Sequence, residues 1–183
     1  MVQAVLSAAI EVFGERGYAG LTIDEIATRA GVNKTTVYRR WPTKADLVGA
    51  ALISMKQSTE LPNSGNVRLD LFLLLRQKAD ALVTPRGRSV RRAVFAGTAE
   101  PELKAVILAL RKEHPLVPRE LLERAVEKGE LPVGTDLKLV TDALAGAVLS
   151  ATMWSDRVED EFLRQLIDLV ISGAAAVARA ARG

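Results

Sequence analysis

The sequence predicts an all-α chain: an N-terminal domain of three helices, residues 1–48, followed by a larger helical domain, residues 49–183. Three observations carry this expectation. Apolar residues recur at helical spacing in every periodic segment. No stretch shows the sustained two-residue alternation and regular turn spacing of strands. The periodic segments are parted by clusters of glycine, proline, asparagine and serine, which are turn formers.

The elements follow in order. Val2, Val5, Leu6, Ala9, Ile10 and Phe13 form one apolar helical face, and Gly14 and Gly17 are expected to close it. Thr22-Ile-Asp-Glu25 fits a capping box opening a short second helix, with Ile23, Ile26, Ala27 and Ala30 inward and Gly31 at its end. Asn33 caps a third helix through Trp41, and Pro42 stops it. Thr43-Lys-Ala-Asp46 is a second capping box, for a helix reaching about Met55. The turn-rich stretch from Leu61 to Asn66 is the clearest break. Beyond it, periodic segments cover about 67–83, 88–98, 102–130, 136–155 and 158–179, the third broken or kinked by Pro115 and Pro118.

Composition narrows the function. Of 183 residues, 49% are hydrophobic and 26% charged, enough for a real core. With no cysteine, disulfides, thiolate metal sites and cysteine nucleophiles are excluded. The single histidine, His114, has no partner at ligand spacing, and Glu100 and Glu102 flank a proline without an identifiable partner. No catalytic residue, metal site or cofactor is therefore expected. Met1 leads straight into an amphipathic pattern, and the longest uncharged apolar run, Ala143 to Ser155, falls short of the roughly 20 residues of a spanning helix. A soluble, cytoplasmic protein with no membrane partner is the expectation.

The informative segment runs from Tyr18 to Leu47. Two short helices that cross tightly need a turn residue tolerating positive φ, which Gly31 supplies, and a small residue at the crossing, which Ala27 supplies. This is the logic of a helix-turn-helix. With Val32 and Val37 inward, Lys34, Thr35, Thr36, Tyr38, Arg39 and Arg40 face out. Five basic residues (Arg29, Lys34, Arg39, Arg40 and Lys44) and no acidic one lie between positions 29 and 44. A local concentration of cations, interleaved with hydroxyls, suits the phosphates of double-stranded DNA. Lys44 opens a helix, where backbone N–H groups also favour an anion.

The combination of Glu15-Arg16-Gly17-Tyr18, Leu21-Thr22-Ile23, Ile26-Ala27, Ala30-Gly31-Val32, Thr36-Val37-Tyr38 and Lys44 with Leu47 resembles the DNA-binding domain of the TetR family. The resemblance implies an all-helical homodimer, usually a repressor released from its operator by a small-molecule effector. It implies phosphate contacts at Thr22 and Lys44, and contacts to backbone and neighbouring base edges at Thr36 and Tyr38. Lys34, Thr35, Arg39 and Arg40 would then tune sequence preference. Many members carry a basic arm ahead of the first helix; here the helical pattern starts at Val2. The residues leave open whether such a regulator represses, activates, or binds DNA without any ligand.

The rest of the chain, with Glu127-Lys-Gly-Glu-Leu-Pro132, Asp136 and a long apolar helix, resembles the regulatory domains of the same family. Val140, Leu144, Ala147, Val148 and Ala151, with Phe162, Leu166 and Val170, are the expected dimer interface. Two adjacent helices this apolar need a cover, and a two-fold copy of the pair makes a four-helix bundle, with Ala143, Gly146 and Ser150 permitting close approach. Phe72, Phe95, Leu108, Arg111, Leu122, Met153 and Trp154 are candidates for lining an effector pocket, and equally could fill a core. The run Arg86, Arg88, Arg91 and Arg92 could hold an acidic effector or be a solvated helix face.

Overall fold

The computed structural model describes residues 1–55 and 61–180. These form ten α-helices and no strand: α1 Val2–Gly20, α2 Ile23–Ala30, α3 Lys34–Arg40, α4 Lys44–Ser54, α5 Val67–Val83, α6 Pro85–Gly97, α7 Pro101–Glu113, α8 Arg119–Glu127, α9 Leu137–Trp154 and α10 Asp160–Ala180. They gather into two compact units, Met1–Ser58 with Pro85–Glu113, and Thr59–Thr84 with His114–Gly183. The cut expected after residue 48 thus falls inside α4. Compactness instead joins α6 and α7 to the first four helices.

The first unit is built on α1. Ala9, Ile10, Val12 and Phe13 are buried along it, and α2, α4 and α6 pack around them. Gly14, expected to end α1, stays within it and serves close packing: a Cβ there would lie 3.2 Å from Cβ of Ser89 on α6. The helical path breaks at Gly17, where φ is 67°. Pro85 opens α6, a position where its missing N–H costs nothing. Burial of Leu47, Val48 and Ala51 ties α4 to the same core, and α7 packs on α4.

The second unit holds α5, α8, α9 and α10. Leu71 and Leu75 of α5 meet Leu122 of α8, Leu144 of α9 and Leu163 of α10 in one buried cluster. The Glu130 carboxylate accepts from the free Val67 N–H at the start of α5 (2.7 Å), and Arg124 donates to the Pro62 carbonyl (2.8 Å). The expected segment 102–130 is two helices. α7 ends at Glu113 and α8 begins at Arg119 behind Pro118, and the two belong to different units. Among the described residues, α9 is long and apolar enough to cross a membrane by length and composition. Its Val140, Leu144 and Val148 are buried in the core of the second unit.

Candidate nucleic-acid interface

Local chemistry sets the helix-turn-helix. Thr22 Oγ1 accepts from Glu25 N–H at the head of α2 (3.3 Å), and α2 ends at Gly31 with φ 65° and ψ 34°, a left-handed turn glycine adopts without penalty. The reciprocal half of the expected capping box does not form, because the Glu25 carboxylate turns to Arg29 instead (2.6 Å). Asn33 Oδ1 accepts from Thr35 N–H at the head of α3 (2.8 Å). At α4 the capping box is complete: Thr43 Oγ1 accepts from Asp46 N–H (3.0 Å), and the Asp46 carboxylate accepts from Thr43 N–H (3.1 Å).

On α3, Val37 is buried and Trp41 anchors the C-terminal end, so the opposite face of the helix points to solvent. Thr35, Tyr38, Arg39 and Arg40 are exposed and Thr36 is half-buried. Val32, expected inside, is half-buried. The Arg40 guanidinium lies 5.6 Å from the Trp41 ring centroid. Neither Arg39 nor Arg40 makes an ion pair among the described residues.

Two of the five expected cations stand against carboxylates. Arg29 clamps Glu15 (2.7 and 2.9 Å) and Glu25 (2.6 Å), and these carboxylates hold its pKa above the usual guanidinium value. It therefore contributes little free charge to the footprint. Lys34 Nζ stands 3.5 Å from Asp24 on α2, an exposed pair of small energetic weight.

A hollow of about 330 Å³ between α2, α3 and α4 gathers Thr22, Lys34, Tyr38 and Lys44, with Leu21, Ile23 and Asp24. Thr35, Thr36, Arg39 and Arg40 of α3 do not line it. Lys44 folds back so that its ammonium donates to the carbonyls of Tyr18 (2.8 Å) and Leu21 (3.4 Å), 4.4 Å from the Tyr18 ring centroid. An ammonium has three donors, so one N–H is left for an incoming anion.

Sequence reasoning missed the residue behind Lys44. The buried Tyr18 hydroxyl donates to Glu102 on α7 (3.2 Å), and burial, reinforced by that carboxylate, pushes its pKa up to about 12. The N-terminal motif marks Tyr18 as notable, but its partner lies 84 residues away.

The other candidates scatter. Phe95, Leu108 and Arg111 stand on α6 and α7 in the first unit, whereas Phe72, Leu122, Met153 and Trp154 belong to the second. Leu122 is wholly interior, and Trp154 is 85% exposed. Phe72 lines a hollow within the second unit, about 220 Å³ beside Arg68, Leu69, Arg164, Ile167 and Asp168, with the Arg164 guanidinium 4.2 Å over its ring. Of the expected interface, Val140, Leu144 and Val148 are interior. Ala147, Ala151, Leu166 and Val170 are half-buried, and Phe162 is exposed. The outer face of α9 is instead Leu139, Ala143, Gly146, Ser150 and Met153, joined on α10 by Leu169 and Val177.

Residues 5–51 match the profile of "Bacterial regulatory proteins, tetR family", and residues 61–170 match that of "Tetracyclin repressor-like, C-terminal domain". The chain belongs to the TetR family. A DNA-binding transcriptional repressor TetR of Mycobacteroides abscessus is 32% identical over 174 residues, 92% of this chain and 90% of the relative. The crystal structure of a TetR family transcription regulator superimposes with TM-score 0.70 at 29% identity, covering 94% of this chain and 97% of that one. The transcriptional regulator FadR of Bacillus subtilis, solved in complex with stearoyl-CoA, shares the fold with TM-score 0.66 at 18% identity, over 94% of this chain and 99% of its own. As a TetR-type protein, the chain is a transcriptional regulator with a DNA-binding helix-turn-helix and not an enzyme.

Proposed function

We propose that this regulator is a cytoplasmic repressor that binds a palindromic operator as a homodimer and leaves it when a small-molecule effector binds. One observation carries the DNA half of the reading: α3 rests on Val37 and Trp41 and turns Thr35, Tyr38, Arg39 and Arg40 outward, with no acidic residue on the helix. The hydroxyls and cations of that face match phosphate oxygens, and an arginine there can read guanine through two parallel hydrogen bonds. Thr22, Lys34 and Lys44 flank it and hold the backbone in register.

The outer face of α9 and α10 supports the dimer. Leu139, Met153, Phe162, Leu169 and Val177 are exposed apolar side chains, and Ala143, Gly146 and Ser150 leave room for a second helix pair. A two-fold pair of α3 helices suits a palindromic operator, whose half-sites lie about 34 Å apart, one helical turn of DNA. The repressor of Mycobacteroides abscessus and the acyl-CoA held by FadR support repression and ligand release.

The test is an anisotropy titration on the DNA flanking its own gene, run from 50 to 200 mM salt. Affinity should fall steeply with salt, as phosphate contacts demand. Absence of binding at the lowest salt would refute the reading.

A further inference from the structure

Arg91 on α6 is 8% exposed, and its Nη1 has no hydrogen-bond partner among the described residues. No aspartate or glutamate occurs from Pro85 to Ala99, while Arg86, Arg88 and Arg92 share the helix. Burial, followed by the charges of Arg88 and Arg92, pulls the Arg91 pKa below the usual guanidinium value. An arginine nonetheless stays charged, and a buried charge without a counter-ion destabilises a fold unless something offsets it. One helical turn on, Phe95 occupies the same face of α6 and is 47% exposed. A buried cation and an accessible aromatic ring at this spacing separate a polar head from an apolar body.

We propose that α6 binds an amphipathic organic anion, whose carboxylate or phosphate head pairs with the Arg91 guanidinium while its apolar body lies toward Phe95. The inference names the chemical class of the effector and in that respect rests on the reading above. A planar guanidinium takes either head group through two parallel hydrogen bonds, so the head chemistry is shared and the experiment separates the sources.

The experiment uses the full chain and three probes with one ten-carbon tail: decanoate, decyl phosphate and decanol. Thermal shift and calorimetric titration should show binding of at least one anion and none of decanol at the same concentration. Arg91→Met should raise the melting temperature of the unliganded protein by about 3 °C or more, since an apolar side chain of similar length replaces an unpaired charge. The same variant should weaken the anion by at least about tenfold. Phe95→Ala, at a half-exposed position, should weaken it by about threefold or more.

The proposal is overturned if neither anion binds, if decanol binds as well as they do, or if Arg91→Met keeps full affinity. It is also overturned if Arg91→Met melts lower than the parent chain, since Arg91 would then already be neutralised. Operator binding is followed in parallel. If the wild-type protein bound the anion but no DNA, the repressor reading would fall while the Arg91 site stood.

Discussion

The exposed faces of α3 and of α9 with α10 differ in the kind of surface they leave in water. On α3 one buried valine supports a skin of cations and hydroxyls. On α9 and α10 buried residues such as Leu144 and Ile167 support a skin of leucine, alanine, glycine and valine, with Leu169 73% exposed. Water solvates the first willingly and the second at a cost of roughly 25 cal/mol per Å² of apolar area. A polyanion suits the first and a second apolar surface the second. One chain can hold two kinds of binding apart by what each helix shows to solvent.

If the two faces are separate, reversing the charge of one should spare the other. Arg39→Glu with Arg40→Glu should weaken operator binding by about 1,000-fold at 100 mM salt, since two phosphate attractions become repulsions. Sedimentation should find the same dimer. Loss of the dimer in this variant would break the separation.

Leu169→Glu probes the other face. The side chain is exposed, so the monomer should fold unchanged, but each dimer would bury two carboxylates. The dimer should weaken by about a hundredfold, two copies at about tenfold each. Operator affinity should fall with it at nanomolar protein. A dimer of unchanged strength would place the contact elsewhere.

Beneath the α3 surface, the Tyr18 hydroxyl joins α7 to the residues around Lys44. Its folded pKa of about 12 lies above the unfolded value of 10.0, so the folded state holds this proton more tightly. The stabilisation is full below pH 10 and is lost as pH rises toward 12, on the order of 2–3 kcal/mol. Urea denaturation at pH 9 and 12 should show this loss in the wild-type protein and its absence in Tyr18→Phe. Parallel alkaline losses in both proteins would remove the Tyr18–Glu102 bond as their cause.

The smallest effect is expected at Arg29. Arg29→Ala should cost about 0.5–1 kcal/mol, the scale of exposed ion pairs, and change operator affinity by less than about threefold. A loss as large as that of the α3 reversal would return Arg29 to the DNA surface.

How legible each face is in the sequence follows from the same contrast. On α3, polar and apolar residues differ sharply and Asn33, Gly31 and Pro42 punctuate the ends, so residue type and spacing alone name the outward set. On α9 the sequence Leu137-Lys-Leu-Val-Thr-Asp-Ala-Leu-Ala-Gly-Ala-Val is apolar nearly all round. Periodicity there gives the helix but not its rotation, which is why Val140, Leu144 and Val148 are expected at the dimer face and instead point into the core. Pairings distant in sequence are invisible to periodicity: Glu15 with Arg29 joins two helices, and Tyr18 with Glu102 joins α1 to α7. The grouping of α6 and α7 with the N-terminal helices escapes for the same reason, since it depends on α6 packing on α1 and α7 on α4.

The central claim is that the water-facing side of α3 is the DNA-contacting surface. Tyr38→Ala tests it most directly, because Tyr38 is exposed and its removal leaves core and dimer face untouched. Anisotropy at fixed salt should show operator affinity reduced about tenfold or more, with the dimer intact. Unchanged affinity would contradict the assignment of α3.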